Sequence, residues 1–273
     1  MVPKTVRVIY IVPNDEQAWP DAKLRSTQVL EDLQHFFADE MNRLVHESIT
    51  FEIARDGKGD TLFEVKRSTL EKAAFQAQPI EACQQVLCGG RPPDAPDIEV
   101  CFFEGYSIEK GVASVPGAKT KRRRCYLNSL YLKTANRDWL HDLGGYAGRL
   151  FPWISFEPML GTTLQWNKDQ GLQLGDVAGS AYGIIAHELG HAFGGKHHSS
   201  EDDERERKGH LMGLGSRGFR GYFRPDLTDD RCVLSQETAS TLKESPFFEC
   251  RHLKPKGSHF SERLRKGLKH GRS

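Results

Sequence analysis

Apolar residues recur along this chain with two periods. Residues 5–12 form a β-branched run that stops at Pro13, the pattern of a first strand. Across residues 24–44, Val29, Leu30, Leu33, Phe36, Phe37, Met41 and Leu44 fall mostly three or four apart, which predicts a long helix with one apolar face. Residues 51–53 and 61–65 are expected as short strands. Residues 68–87 are expected as helix interrupted at Pro79, because proline cannot continue a helix from within. After a proline-rich turn at 91–96, residues 98–103 form another apolar strand, with further strand candidates at 112–115 and 125–132. Ala181-Tyr182-Gly183-Ile184-Ile185-Ala186 opens a mostly apolar, small-residue helix suited to burial. Near the end, Ser235 is placed to cap a helix running to Glu244, which Pro246-Phe247-Phe248 would stop and anchor.

Composition narrows the class. At 273 residues the chain suits one large domain, or one domain with a small lobe. The formal net charge is +1, with charges spread along the chain, so nothing global points to a nucleic-acid partner. No apolar run approaches membrane-spanning length, and residues 1–13 are too short in apolar content for a signal-peptide core. The expected compartment is therefore cytoplasmic, with no membrane partner. Of the six cysteines, none forms a C-x-x-C pair, and reduced thiols are the expectation; Cys232 and Cys250 would pair only in an exported protein. The basic stretches at 119–124 and 251–273 lack aromatic neighbours for base stacking. They are expected as a solvated loop and a flexible tail. The Gly-, Pro- and aromatic-rich segment 139–166 reads as an irregular loop packed on the body, or as a flap over a cleft.

The chemistry lies in His187-Glu188-Leu189-Gly190-His191-Ala192-Phe193-Gly194-Gly195-Lys196-His197. His187 and His191 are four apart, so a helix projects both from one face toward a single zinc ion. Glu188 is adjacent and able to reach a water at the metal without ligating it. Gly194 permits a left-handed turn that ends the helix and returns His197 as third ligand. Three protein ligands leave the open position of a catalytic zinc site. Five fixed positions at about one in twenty each would arise by chance on the order of once in ten thousand such chains.

This pattern, H-E-x-x-H-x-x-G-x-x-H, resembles that of the metzincins, the zinc endopeptidases that include astacins, serralysins, adamalysins and matrixins. Metzincins also place a methionine in a tight turn beneath the metal. Met212, in His210-Leu211-Met212-Gly213, is the only methionine downstream of the motif and the candidate for that turn. Two departures stand out. Leu214 occupies the position where astacins and serralysins have tyrosine, leaving Tyr222 as a possible replacement approaching from the next loop. His198 follows the third histidine directly, so the ligand register is open by one, with the Gly194 spacing favouring His197. The gluzincin pattern would instead take a third ligand from Glu201, Glu204 or Glu206, but these lie in a mixed-charge segment beyond two adjacent glycines.

The resemblance implies an α/β (α+β) architecture. Its parts are a twisted mixed sheet with packed helices, a central zinc-binding helix, and a small lower lobe with a C-terminal helix. The expected organisation is one catalytic domain over 1–250, with an upper lobe to about 195 and a lower lobe over 196–250, then the basic tail 251–273. The implied activity is that of a zinc-dependent endopeptidase: one Zn²⁺ per chain on His187, His191 and His197, and Glu188 assisting attack by a zinc-bound water on an extended peptide or protein substrate. An edge strand lining the cleft, at 112–115 or 125–132, would pair with that substrate. The alternative is a peptide-binding protein on the same scaffold without catalysis.

Overall fold

The computed structural model describes residues 4–89, 97–105, 107–109, 112–114, 119–121, 123–141, 174–197, 209–213, 218–224 and 232–249. Its centre is a mixed sheet. β1 (Thr5–Val12), β4 (Ile98–Phe103) and β8 (Arg124–Asn128) run parallel, side by side. β2 (Glu52–Ile53) and β3 (Phe63–Arg67) take turns along the other side of β1: Thr5 and Val6 pair with β2, and Val8 to Val12 pair with β3. β7 (Lys119–Lys121) pairs antiparallel with β8 and ends the sheet among the described residues. β5 (Ser107–Glu109) and β6 (Val112–Ser114) form a separate antiparallel pair.

The near-continuous apolar runs of β1 and β4 follow from burial on both faces. Val6, Val8, Tyr10 and Val12 enter one core, and Ile9 and Ile11 enter the other. The first core is covered by α1 (Ala22–Val45) and α5 (Leu174–Ala192). The second lies beneath α2 (Lys72–Ala77) and α3 (Pro79–Val86), through Phe75, Ala82 and Cys83. The predicted break at Pro79 is thus a helix-to-helix junction, with proline at the first turn of α3 where its missing N–H costs nothing.

Aromatic rings join the C-terminal segments to this body. α6 (Arg220–Phe223) and α7 (Gln236–Lys243) follow α5 in sequence. Phe219 packs on Phe36 at 4.7 Å between centroids, and Phe248 packs on Phe193 at 4.9 Å. Ser235 caps α7 as expected, its hydroxyl accepting from the Thr238 N–H at 3.1 Å.

Three expectations change. Residues 125–132 are not one strand: β8 ends at Asn128, and α4 (Ser129–Thr134) begins there. The Asn128 side chain accepts from the Leu130 N–H at 2.9 Å, an N-cap that overrides the β-prone run behind it. In the basic stretch at 119–124, Lys119–Lys121 form strand rather than solvated loop and Arg124 opens β8, buried against Glu99 at 2.6 Å, while Arg122 lies outside the described residues. The motif helix also begins earlier than Ala181, at Leu174. Glycine lowers helix propensity, but Gly175 and Gly179 lie against Arg220, where a Cβ would come within 2.4 and 2.7 Å of that residue. Arg220 in turn bonds Asp176 at 2.6 Å and the Leu140 carbonyl at 3.1 Å, both burying and satisfying its charge.

No helix among the described residues is long and apolar enough to cross a membrane. Cys83, Cys101, Cys125 and Cys232 are buried free thiols and Cys88 is an exposed one, while Cys250 lies outside the described residues. Most of the 139–166 segment, the acidic segment with Glu201, Glu204 and Glu206, the positions of His198 and Leu214, and the tail 251–273 also lie outside them.

Candidate metal centre

α5 delivers His187 and His191 from successive turns of one face, with ring centroids 4.7 Å apart. The helix then stops in a pair of main-chain bonds. Gly194 N–H donates to the His191 carbonyl at 3.0 Å, and Gly195 N–H reaches back to the Gly190 carbonyl at 2.8 Å. This is a Schellman stop, and Gly194 supplies the required left-handed backbone at φ 109°. The reversed chain brings His197 back over the helix. The three Nε2 atoms form a triangle with edges of 3.1 Å (His187–His191), 3.2 Å (His187–His197) and 3.0 Å (His191–His197).

These short separations are not hydrogen bonds for the helical pair. His187 Nδ1 lies 2.7 Å from the Leu211 carbonyl oxygen, and His191 Nδ1 lies 2.9 Å from that of Gly195. A carbonyl only accepts, so each neutral ring carries its proton on Nδ1 and presents a lone pair at Nε2. Lone pairs this close repel unless a cation sits among them. Ligand nitrogens about 2.0–2.1 Å from one tetrahedral zinc lie roughly 3.3 Å apart, close to the observed triangle. The donor set therefore fits a zinc ion with a further position open. Burial pushes His187 down to about 4, with His191 and His197 adding to the effect and the Leu211 carbonyl opposing it. His197 is also lowered, by burial and then by His191. Neutral imidazole is the metal-binding form.

Glu188, next to His187 on α5, is buried against the edge of the sheet. The Thr120 hydroxyl of β7 lies 2.6 Å from Glu188 Oε2 and 2.9 Å from the Glu188 main-chain carbonyl. Cys125, the cross-strand partner of Thr120, directs its thiol at the same carbonyl at 3.4 Å. Burial raises the carboxyl's pKa, opposed by the Thr120 bond and by His191. Tyr131 is pushed up to about 12, first by burial and then by the Glu188 charge, so it stays a neutral phenol.

A tight turn underlies the helix. Gly213 N–H bonds the His210 carbonyl at 2.9 Å, and Leu211 N–H bonds the Val233 carbonyl at 2.8 Å. Met212 is buried with its sulfur pressed on Gly190: a Cβ there would lie 2.5 Å from Sδ. One turn thus carries both the carbonyl that orients His187 and the thioether packed on the helix between the two histidines.

The expectation for Tyr222 is overturned. Its hydroxyl donates to Asp39 of α1 at 2.8 Å and its ring packs on Phe36, so it ties α6 to α1 rather than approaching the histidines. Two neighbouring strands meet the motif helix: β8, within 125–132, through Cys125, and β7 through Thr120, a residue whose part at the site no spacing rule marks.

No protein-family model matches the sequence, and no curated protein sequence matches it either. Comparison of structures finds a fold shared with OgpA from Akkermansia muciniphila. A catalytically inactive OgpA bound to an O-glycopeptide substrate, glycodrosocin, aligns over 93% of this chain at 16% identity and a TM-score of 0.59. Wild-type OgpA aligns over 90% at 17% identity and a TM-score of 0.56. The chain spans about 62% of the length of the OgpA chain. Archaemetzincin from Methanopyrus kandleri aligns over 98% of this chain and 99% of its own at 14% identity, with a TM-score of 0.28. The fold is mixed α/β, a mixed sheet with helices packed on it, as the resemblance implied.

Proposed function

We propose that this chain is a zinc-dependent endopeptidase of metzincin type, with residues 1–250 as its catalytic unit and 251–273 as an appended basic tail. One observation carries the reading. His187, His191 and His197 converge their Nε2 atoms within 3.0–3.2 Å while His187 and His191 spend their ring protons on carbonyls, beside a buried Glu188. His187, His191 and His197 would hold the zinc, which when bound supplies Lewis acidity toward a water and a peptide carbonyl. Met212 serves as the methionine of the supporting turn. Glu188 takes the proton of the attacking water and passes it to the leaving nitrogen, a role its raised pKa suits.

The substrate is an extended peptide lying along β7, whose outer edge is unpaired among the described residues. OgpA, which shares the fold, has been captured with an O-glycopeptide, so glycosylated peptides belong in the test alongside plain ones. The experiment is a cleavage profile of the zinc-loaded protein on a mixed library of peptides and O-glycopeptides, read by mass spectrometry, with Glu188→Gln beside it. Internal cuts that vanish in the variant support the reading. Peptide binding without cleavage by either protein would replace it with a non-catalytic binding role.

A further inference from the structure

The hydroxyl of Thr120 is the one side-chain group among the described residues that hydrogen-bonds the Glu188 carboxylate, and it engages Oε2 alone. Its own position is firmly set. β7 pairs with β8 from Lys119 to Lys121, with Thr120 opposite Cys125. Alternation along the strand sends Lys119 and Lys121 outward, where both are exposed, and turns Thr120 inward onto α5. The Glu188 main-chain carbonyl lies 2.9 Å from the same oxygen, which sets the hydroxyl against the helix backbone as well as the side chain. A hydroxyl has a single proton and two lone pairs. That proton goes to Oε2 of the carboxylate, and the Glu188 carbonyl is a second acceptor within its reach.

We infer that Thr120 is the positioning residue for Glu188: it holds Oε2 in one place and reserves Oε1 for proton transfer. This rests on Glu188 acting as the base of the proposed peptidase. A general base works only within hydrogen-bond reach of its proton, and small misplacement of a catalytic group is costly. The Thr120 side chain acts through Glu188, while a peptide added to β7 would bond main-chain groups, so loss of the hydroxyl falls on kcat and leaves KM in place. The edge of the sheet thereby sets the base, and a peptide added to β7 is held by the same strand that holds the carboxylate.

The test compares Thr120→Val, Thr120→Ser and Cys125→Ala in the zinc-loaded full chain. The Cys125 thiol reaches the Glu188 carbonyl and the Thr120 side chain but makes no bond to the carboxylate, so Cys125→Ala loosens the strand-to-helix contact and leaves the Thr120–Oε2 bond in place. Thr120→Val is nearly isosteric and removes the hydroxyl. A bond to an ionised group is worth enough that kcat should fall roughly 10- to 100-fold with KM unchanged. Thr120→Ser should recover most of the rate, and Cys125→Ala should keep it. A second readout needs no activity: in crystal structures, the Glu188 carboxylate should hold one conformer in wild type and Thr120→Ser, and several in Thr120→Val. The inference is overturned if Thr120→Val keeps kcat within twofold with Glu188 in a single conformer. It is equally overturned if Cys125→Ala loses as much kcat as Thr120→Val, which would make the strand-to-helix contact the whole effect. If wild type cuts nothing, the peptidase reading fails, and the conformer comparison still decides whether Thr120 places Glu188.

Discussion

His187 Nδ1 donates to the main-chain carbonyl of Leu211 at 2.7 Å, and that bond joins the histidine helix to the turn that carries Met212. The carbonyl fixes the tautomer of His187 and aims its lone pair at the other two rings. Loss of such an orienting partner typically costs about 10- to 100-fold in metal affinity or activity. The next residue, Met212, fills the space left by the missing side chain of Gly190.

The triangle of nitrogens predicts one zinc per chain by elemental analysis of the purified protein, with loss on chelation and recovery on zinc addition. His197→Ala should lose most of the metal, and His198→Ala should keep it. Glu201→Gln, Glu204→Gln and Glu206→Gln together should also keep it, as the proposed third ligand is His197. A metal-free protein that refuses zinc would remove the proposed chemistry altogether.

Replacing Glu188 with Gln should leave zinc content and melting temperature close to wild type, while peptide cleavage falls by about 10²–10⁴-fold, the usual contribution of a general base. Equal cleavage by the two proteins would assign the base elsewhere.

Gly194→Ala tests the helix stop. At φ 109° a Cβ is strained, at an expected cost of about 1–3 kcal/mol. The local relief of that strain moves His197, so zinc affinity should drop together with stability in denaturant titrations. Unchanged zinc affinity would mean that His197 holds its place independently of the turn.

Met212→Leu keeps volume and apolarity, so its cost in stability should stay under about 1.5 kcal/mol, with zinc still bound. A larger loss of metal than of stability would indicate that the thioether, and not merely a packed side chain, steadies the imidazoles.

Acid should destabilise the metal-free protein through His187. Its folded pKa is depressed to about 4 against an ordinary value of 6.5, so between those values the unfolded chain binds the extra proton. This contribution to stability is complete above about pH 6.5 and is lost as pH falls toward 4. Melting temperatures of the metal-free protein across that window should decline, and the decline should be shallower in His187→Leu. An identical slope in both would show that other groups govern the acid limb.

Much of the frame was legible in the residues themselves. The apolar spacing from Val29 to Met41 corresponds to buried positions of α1, Pro79 divides α2 from α3, and Ser235 caps α7. In each case the cause is local: a periodicity, a missing N–H or a hydroxyl next to a free amide. Residues 125–132 were misleading because strand and helix candidates share apolar, aromatic content there. Only the bond from Asn128 to the Leu130 amide divides them. The start of α5 was hidden for the opposite reason. Gly175 and Gly179 weaken a helix in isolation and strengthen it only where Arg220 packs on the space they leave.

The same division runs through the site. The chemistry proposed for the three histidines is readable from the motif alone, because H-E-x-x-H-x-x-G-x-x-H places two imidazoles on one helical face and a glycine where the chain must reverse. Those relations span eleven consecutive residues and obey helix geometry alone. Tertiary structure decided which groups aim and surround them. Leu211, 24 residues from His187, supplies the orienting carbonyl; Thr120, 68 residues from Glu188, supplies the hydroxyl on the carboxylate; and Tyr222 is drawn off to Asp39, 183 residues away. Such pairings depend on which strand ends the sheet and which turn passes under the helix, outcomes of burying two cores on either side of β1 and β4. No local pattern encodes them, because contacts between distant segments are set by the packing of the whole chain rather than by the spacing of neighbouring residues.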